Sequence, residues 1–359
     1  MRLPPQRDSK KGETATNLLT AVYSLPITSP LENGSGRFLV EETLGSGLLL
    51  SAIFKKVPQN IAIVATNQYA DQRLYEFLLN FSAEEEIVFF PSDELMRAET
   101  LASSRELLSQ RLYALGKLCG GGKHILVTHP SALLRYLPSK ERFLEECLHF
   151  KVGMETDLNE VKRKLTNMGY ASANKVEHSL QFASRGDILD IYSVSYSNPI
   201  RLEFFGDEVE SIRIFDVSSQ QSIEKLEEVT VLPASDIFLN DEEVSDFALR
   251  LKKQIEADQA RRGGNGKEDE ERSCAIDLES FLEKDYKPAL YKYFGFALGQ
   301  AHSVLSYFNP SFVYFTNYDQ FKESATNLNV EAREYLYELY EEGLTCSGLE
   351  QYMKIEEAL

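Results

Sequence analysis

"GDILDIYSVSYSNPIRLEFFGDEVESIRIFD", residues 186–216, alternates apolar and polar residues with the period of two that is typical of β-strands. Two Gly-Asp pairs and one Ser-Asn-Pro sequence interrupt the alternation, and these residues favour hairpin turns. "EEVTVLPAS" at 227–235 continues the strand pattern, and a helix capped by Asp157 is predicted over 156–170. The sequence therefore predicts a small, β-rich α+β domain over residues 149–238.

A different pattern precedes this domain, over residues 37–148. Three short apolar runs, "NIAIVAT" (60–66), "EIVFF" (86–90) and "HILVTH" (124–129), alternate with segments of helical periodicity. Such runs are typical of buried strands in a parallel sheet that has helices on its faces. We therefore predict an open α/β sheet in this part of the chain.

Residues 239–359 are mostly helical in pattern, with a solvent-exposed loop predicted at 261–273. The run "SFVYFTNY" (311–318) is predicted to be a buried strand that returns to the sheet of residues 37–148. The β-rich domain would then be inserted between two halves of one α/β unit. Residues 1–36, with Pro, Ser and Gly punctuation, are predicted to be a leader.

The composition narrows the possible functions. The 359 residues include 38 Lys and Arg against 56 Asp and Glu, a formal net charge of −18. So acidic a chain repels DNA unless it carries a basic patch, and no basic run is visible, so direct DNA binding is not expected. Four scattered cysteines are predicted to be reduced, partly buried thiols, and no signal peptide or membrane-length apolar stretch is visible. We expect a cytoplasmic protein with no metal, cofactor or membrane contact.

The nearest match to a phosphate-binding loop is "ETLGSGLL" at 42–49. A working loop, GxxxxGK[ST], needs a lysine for the phosphates and a hydroxyl for Mg²⁺. Here Glu42 stands at the first glycine, and Leu48 and Leu49 stand at the lysine and hydroxyl positions; only Gly47 matches, with Gly45 beside it. The sequence predicts an inactive, degenerate nucleotide loop that forms a glycine turn entering a helix.

The second ATPase element is also lost. An acidic pair should follow the strand that positions Mg²⁺, yet "FVYF" is followed by Thr316 and Asn317. The predicted fold class is therefore α/β, with a degenerate P-loop-like (RecA-like) open sheet split around the inserted β-rich domain. We expect no enzymatic activity from this chain.

Residues 182–239, "FASRGDILDIYSVSYSNPIRLEFFGDEVESIRIFDVSSQQSIEKLEEVTVLPASDIFL", resemble the second domain that UvrB shares with bacterial transcription-repair coupling factors. The family pattern runs F-x-x-R-G-x-[IL]-[IL]-D-[IL]-[FY], then R-[IL]-[ED]-[FL]-F-x-[DE]-E-[IV]-[ED]-S-[IL]-R-x-F-D, then L-P-A. "FFPSDELM", "SSRELLSQRLYALGKL" and "VTHPSALLRYLP" extend the resemblance toward the N-terminus. Since both ATPase motifs are lost, the sequence is more similar to the coupling factors than to UvrB.

The resemblance covers roughly residues 37–359 and implies the N-terminal, UvrB-homologous module, with domains 1a (37–148), 2 (149–238) and 1b (239–359). In that family domain 2 recruits UvrA in transcription-coupled nucleotide excision repair. The resemblance assigns this UvrA-binding role to Arg185, Arg201 and Phe205. Strand alternation supports the assignment, because Leu202 and Phe204 would face the core while Phe205 faces outward.

Three alternatives, and one hypothesis that is compatible with the UvrA-binding role, stay open at this point. A neighbouring hairpin or helix could cover Phe205, and Arg185 could form an ion pair with Asp187 or Asp207. The chain could be a UvrB-like ATP-binding repair module with an unconventional nucleotide site. Finally, the polymerase-interacting and translocase domains of the same parent chain, an ATP-dependent DNA translocase, could mask the UvrA-binding surface until it is needed.

Overall fold

The computed structural model describes residues 18–24, 43–57, 59–92, 104–262, 267–285, 288–298, 300 and 302–359. Most of the predicted leader, and Glu42 of the predicted nucleotide loop, lie outside these residues. The described chain is a mixed α/β structure with a four-stranded sheet, a separate six-stranded sheet and a two-stranded ribbon. The predicted α/β class with a separate β-rich region is therefore confirmed.

The four-stranded sheet has the order β12-β1-β3-β2, and every pairing in it is parallel. Its strands are β1 (Ile61–Val64), β2 (Ile87–Phe89), β3 (Ile125–Thr128) and β12 (Phe312–Phe315). The three apolar runs between residues 60 and 129 were predicted to be buried parallel strands, and this is confirmed. The late strand β12 pairs with β1, but its side chains are only half-buried because it lies at the edge of the described sheet. Its predicted burial was wrong.

Helices cover both faces of this sheet. Helices α1 (Thr43–Lys56) and α2 (Gln68–Leu78) pack with the strand residues of one parity, such as Ile61 and Ile63. Helix α3 (Arg105–Cys119) packs with residues of the other parity, such as Ala62 and Val64. A strand with both faces covered has no polar side to show, which is why these runs are continuously apolar.

The six-stranded sheet has the order β10-β9-β8-β7-β6-β5 and is antiparallel except where the short β5 meets β6. Its strands are β5 (Ala171–Ser172), β6 (Gln181–Arg185), β7 (Ile188–Ile191), β8 (Ile200–Phe205), β9 (Glu208–Phe215) and β10 (Ser222–Leu226). Helix α6 (Leu158–Asn167) presents Val161 and Leu165 to the buried cluster that includes Leu202 of this sheet. One face of the sheet is therefore core, and the other is the candidate surface described below.

The chain enters and leaves this β-rich region through an antiparallel ribbon of β4 (Leu148–Lys151) and β11 (Glu228–Val231). Just beyond β11, the buried Asp236 accepts hydrogen bonds from Arg111 Nε (2.9 Å) and Arg135 Nε (3.1 Å). Burial alone would raise the pKa of Asp236, but the charges of Arg135 and Arg111 outweigh it and hold the pKa well below its ordinary value. This charge cluster fastens the exit of the β-rich region to α3.

The rest of the described chain is mostly helical. Its longer helices are α7 (Asp241–Arg262), α8 (Lys267–Leu282) and α10 (Tyr318–Glu341), and the shorter ones are α4 (Pro130–Leu133), α5 (Lys140–Glu145), α9 (Phe294–Ala297) and α11 (Ile355–Ala358). Because α7 ends at Arg262 and α8 begins at Lys267, the loop predicted over 261–273 was wrong for residues 261–262 and 267–273, and residues 263–266 lie outside the described residues. The rings of Phe247 and Phe281, with centroids 5.1 Å apart, join α7 to α8. All four cysteines are free thiols, three of them buried.

Candidate binding surface

Two hairpin turns lie at the same end of the six-stranded sheet. Strands β6 and β7 are joined by Gly186-Asp187, and strands β8 and β9 by Gly206-Asp207. Both glycines have a positive φ, +58° and +62°, as the first position of such two-residue turns requires. The Phe204 N–H donates to the Asp187 carbonyl (2.8 Å), so the two turns are tied to each other. The residues that end β6 and β8 are thereby held at the same end of the sheet, with β7 between them.

Phe205 ends strand β8 and faces solvent. Along this strand Leu202 and Phe204 are buried, Arg201 and Glu203 are half-buried, and Phe205 is 78% exposed. The alternative in which a hairpin or helix covers Phe205 is therefore wrong. An exposed aromatic ring among charged side chains is the composition of a protein-binding hot spot.

Arg185 ends strand β6 and is also exposed. It pairs with Ile188, which in turn pairs with Glu203, so its side chain lies on the same face as those of Glu203 and Phe205. Within the described residues the Arg185 guanidinium makes no hydrogen bond or ion pair, and the alternative ion pair with Asp187 or Asp207 is wrong. Its five N–H donors are therefore open to a partner from outside the chain.

Arg201 is held in place rather than free. Its Nε and Nη2 donate to the two carboxylate oxygens of Asp190 (2.7 and 2.8 Å), and Nη2 also donates to Gln220 (3.1 Å). Its guanidinium lies 4.3 Å from the centre of the Phe215 ring. The hydrogen bonds to Asp190 raise the pKa of Arg201 above its ordinary value. A bidentate pair stacked on an aromatic ring fixes both the plane and the direction of the guanidinium.

Glu203, the next residue of β8 on this face, is held by hydrogen bonds in a similar way. Glu203 accepts hydrogen bonds from Arg213 Nη2 (2.7 Å) and from the Ser211 hydroxyl (2.6 Å). The sequence analysis missed the supporting roles of Asp190, Gln220 and Phe215. Only the register of β7, β8 and β9 shows which carboxylate meets which arginine, and no local sequence signal carries that register.

The described residues of the predicted nucleotide loop lie inside α1. A Cβ added to Gly47 would come within 2.7 Å of Leu74 Cδ1, so this glycine allows the close packing of α1 on α2. Leu49 is buried, Leu48 is half-buried, and Gly45 belongs to the first turns of the same helix. The described part of the predicted loop is therefore helix, and the glycine turn predicted ahead of the helix is wrong for Gly45 and Gly47.

A buried acid–base pair lies at the carboxyl ends of the parallel strands. His129 directly follows β3, and its Nδ1 contacts the Asp71 carboxylate in the first turn of α2. Burial raises the pKa of Asp71 above its ordinary value. At the same edge Asn317 caps α10 by accepting the Gln320 N–H (3.0 Å). Open α/β sheets bind ligands at this edge. In this chain the side chains at the edge contact one another, as His129 and Asp71 do, or cap a helix, as Asn317 does.

Among the described residues there is neither a membrane-spanning helix nor a cluster of metal-ligating side chains. No helix among them has both the length and the apolar character needed to cross a bilayer. Within the same residues, no group of three or more His, Cys, Asp or Glu side chains has the arrangement of a metal site.

One of two comparisons with known proteins, the family match, falls on the same part of the chain. Residues 148–237 match the UvrB interaction domain family, a range that runs from the first residue of β4 to just beyond Asp236. The chain is similar to the transcription-repair-coupling factor of Staphylococcus aureus (strain bovine RF122 / ET3-1), with 29% identity over 294 residues. The similarity covers 79% of this chain and 24% of that relative. The corresponding protein of Staphylococcus haemolyticus is 27% identical over 297 residues, which are 82% of this chain and 25% of the relative.

Both comparisons confirm the resemblance to the UvrB-homologous module of transcription-repair coupling factors. The chain spans about a quarter of the length of the curated relatives that it matches.

Proposed function

We propose that this chain is the N-terminal, non-catalytic adaptor of a transcription-repair coupling factor, which presents a UvrB-like surface to UvrA. In the whole protein this adaptor would bring UvrA to RNA polymerase stalled at a DNA lesion. The observation that carries the proposal is the pair of side chains at the hairpin end of the six-stranded sheet. Phe205 is 78% exposed there, and Arg185 has no ion-pair partner among the described residues.

Each of the three proposed contact residues has a distinct physical task. Phe205 supplies an apolar ring that loses its water on binding, which is the usual source of hot-spot energy. Arg185 supplies a guanidinium that can form bidentate hydrogen bonds with a carboxylate. Arg201, held by Asp190, adds a charge whose orientation costs no further entropy when the partner arrives.

We infer that the parallel sheet descends from a RecA-like nucleotide-binding domain that has lost its chemistry. Leucine at positions 48 and 49 offers neither the charge nor the metal ligand that a nucleotide site requires, and Leu49 is part of the core. The alternative, a UvrB-like ATP-binding module, predicts that ATP raises the unfolding temperature, as any ligand specific for the folded state does. We expect no shift with ATP and Mg²⁺.

Autoinhibition is the regulatory part of the proposal. The exposed ring of Phe205 would be covered by other domains of the parent chain until the motor engages polymerase. This predicts that the 359-residue chain binds UvrA more tightly than the full-length coupling factor does. Equal affinities would remove this part of the proposal and leave the adaptor role intact.

The adaptor role itself is tested by titrating purified UvrA with the 359-residue chain in a calorimeter. We expect saturable binding. This chain should not need ATP for it. A double substitution, Arg185→Ala with Phe205→Ala, should abolish the measured heat while the unfolding temperature stays within a few degrees. Absence of binding by the unaltered, folded chain would contradict the proposal.

A further inference from the structure

Three positively charged residues stand side by side on the face of the sheet that carries Phe205. Arg201 of β8 is directly opposite Arg213 of β9, and Arg213 is directly opposite Lys225 of β10. Residues directly opposite on antiparallel strands share a face, with Cβ atoms about 5 Å apart. We call Arg201, Arg213 and Lys225 the cation row. It crosses three adjacent strands, a span of roughly 10 Å.

The cation row is only partly neutralised by the chain itself. Asp190 extends the row on β7 and pairs with Arg201, while Glu203 pairs with Arg213. Lys225 is exposed, and among the described residues its ammonium group has no ion-pair partner. Like charges placed directly opposite each other on a sheet are destabilising, so this arrangement is not what stability alone would favour. It leaves positive charge at the β10 end of a chain whose net charge is −18.

We propose that the cation row is a second part of the UvrA-binding surface and that it receives an acidic segment of UvrA. The inference rests on the proposed adaptor function and extends it from the hairpin turns across the sheet to β10. Carboxylates fit the guanidinium of Arg213 and the ammonium of Lys225, and the row is continuous with Arg201 of the proposed contact set. Exposed charges at the rim of an interface mainly speed association and give it salt dependence.

An acidic protein segment fits this row better than nucleic acid does. The whole chain is strongly acidic, so DNA approaching the sheet is repelled at long range. The row also contains the carboxylates of Asp190 and Glu203 beside its arginines, and these would oppose a closely spaced phosphate backbone. A protein segment with one or two carboxylates can place them at Arg213 and Lys225 alone.

The test uses Lys225→Glu, with Lys253→Glu as its matched control. Both lysines are exposed, and both substitutions change the charge equally, but Lys253 lies on α7, outside the six-stranded sheet. UvrA affinity is measured at low and high salt for the unaltered chain and both variants. At about 50 mM salt we expect Lys225→Glu to raise Kd roughly three- to tenfold, with less than about a twofold effect near 500 mM. Lys253→Glu should change Kd less than about twofold at either salt concentration.

Each of the other possible outcomes would contradict one specific claim. If the unaltered chain binds UvrA and Lys225→Glu binds equally well at low salt, the cation row is wrong while the adaptor function stands. If Lys253→Glu weakens binding as much, net charge and not the row is responsible. If the unaltered chain does not bind UvrA, the adaptor function itself fails. Binding of a short DNA duplex that is lost in Lys225→Glu would contradict the assignment to an acidic protein segment.

Discussion

At the scale of single residues, the Asp190 carboxylate orients Arg201 before any partner is present. Two short hydrogen bonds and the Phe215 ring hold a guanidinium that would otherwise lose rotational freedom on binding. Arg185 has no such support and must be ordered by the partner. The two arginines of the proposed surface therefore differ in how their binding energy arises, although the sequence presents them alike.

Removing the Asp190 carboxylate tests this difference. We expect Asp190→Ala to lower the free energy of unfolding by about 1–3 kcal/mol, because the charged hydrogen bonds of a buried carboxylate are lost. Urea unfolding followed by circular dichroism gives this value. The control is Asp187→Ala in the adjoining turn, whose exposed carboxylate has no partner among the described residues; it should cost less than about 0.5 kcal/mol. Equal losses in the two variants would contradict the supporting role of Asp190.

The outward direction of Phe205 could be predicted from its own strand, because alternation depends only on neighbouring residues. The pairing of Arg201 with Asp190 could not, because it depends on how β7 and β8 align across residues 192–199, whose length has no fixed consequence for register. The half-burial of β12 escaped prediction for a similar reason: an apolar run does not reveal whether its strand lies at an edge. The start of α8 at Lys267 was missed because charged helix formers resemble a solvated loop in composition.

At the scale of elements, the β8–β9 hairpin presents the proposed hot spot, and its geometry depends on Gly206. This residue has φ +62°, and a Cβ added there would meet nothing within 4 Å, so a substitution there acts through backbone strain alone. We expect Gly206→Ala to cost about 1–2 kcal/mol in the free energy of unfolding.

Gly120→Ala is the control for this prediction, since Gly120 has φ −67° and a Cβ added there would make only ordinary van der Waals contacts, 3.5 Å from the Lys117 carbonyl oxygen and 3.7 Å from that of Gly116. Chemical denaturation of both variants should show destabilisation for Gly206→Ala and no loss for Gly120→Ala. Gly206→Asn should fall between the unaltered chain and the alanine variant, because asparagine tolerates positive φ better than alanine does. A neutral Gly206→Ala would mean that the turn relaxes and that Phe205 is less firmly placed than the structure indicates.

At the scale of the whole molecule, the charge cluster of Asp236, Arg111 and Arg135 connects the exit of the β-rich region to α3 and to the segment that follows α4. Removing the carboxylate leaves two buried guanidinium groups without their shared counter-ion. We expect Asp236→Asn to cost about 3–5 kcal/mol at pH 7, as breaking a buried ion pair does. Asp187→Asn, whose exposed carboxylate has no partner among the described residues, is the matched control and should cost much less.

The same cluster predicts a pH dependence. The pKa of Asp236 is depressed in the folded state, so its contribution is complete above the unfolded value near 3.8 and declines as pH falls below it. The raised pKa of Asp71 acts in the opposite sense, so the comparison with Asp236→Asn, rather than the pH profile alone, isolates the cluster. The gap in unfolding free energy between the unaltered chain and Asp236→Asn should narrow below about pH 4. A gap that stays constant down to pH 2 would contradict the assigned charge state.

The most direct test of the proposed UvrA-binding surface compares the binding of Phe205→Ala and Tyr69→Ala to UvrA by calorimetry. Both rings are among the most exposed aromatic side chains of the described residues, 78% and 73%, but Tyr69 lies on α2, outside the region that matches the UvrB interaction domain. We predict that Phe205→Ala weakens binding by about 2 kcal/mol, roughly thirtyfold in Kd, while Tyr69→Ala leaves it unchanged. Equal affinities of the two variants for UvrA would contradict the proposal that Phe205 is part of the UvrA-binding surface.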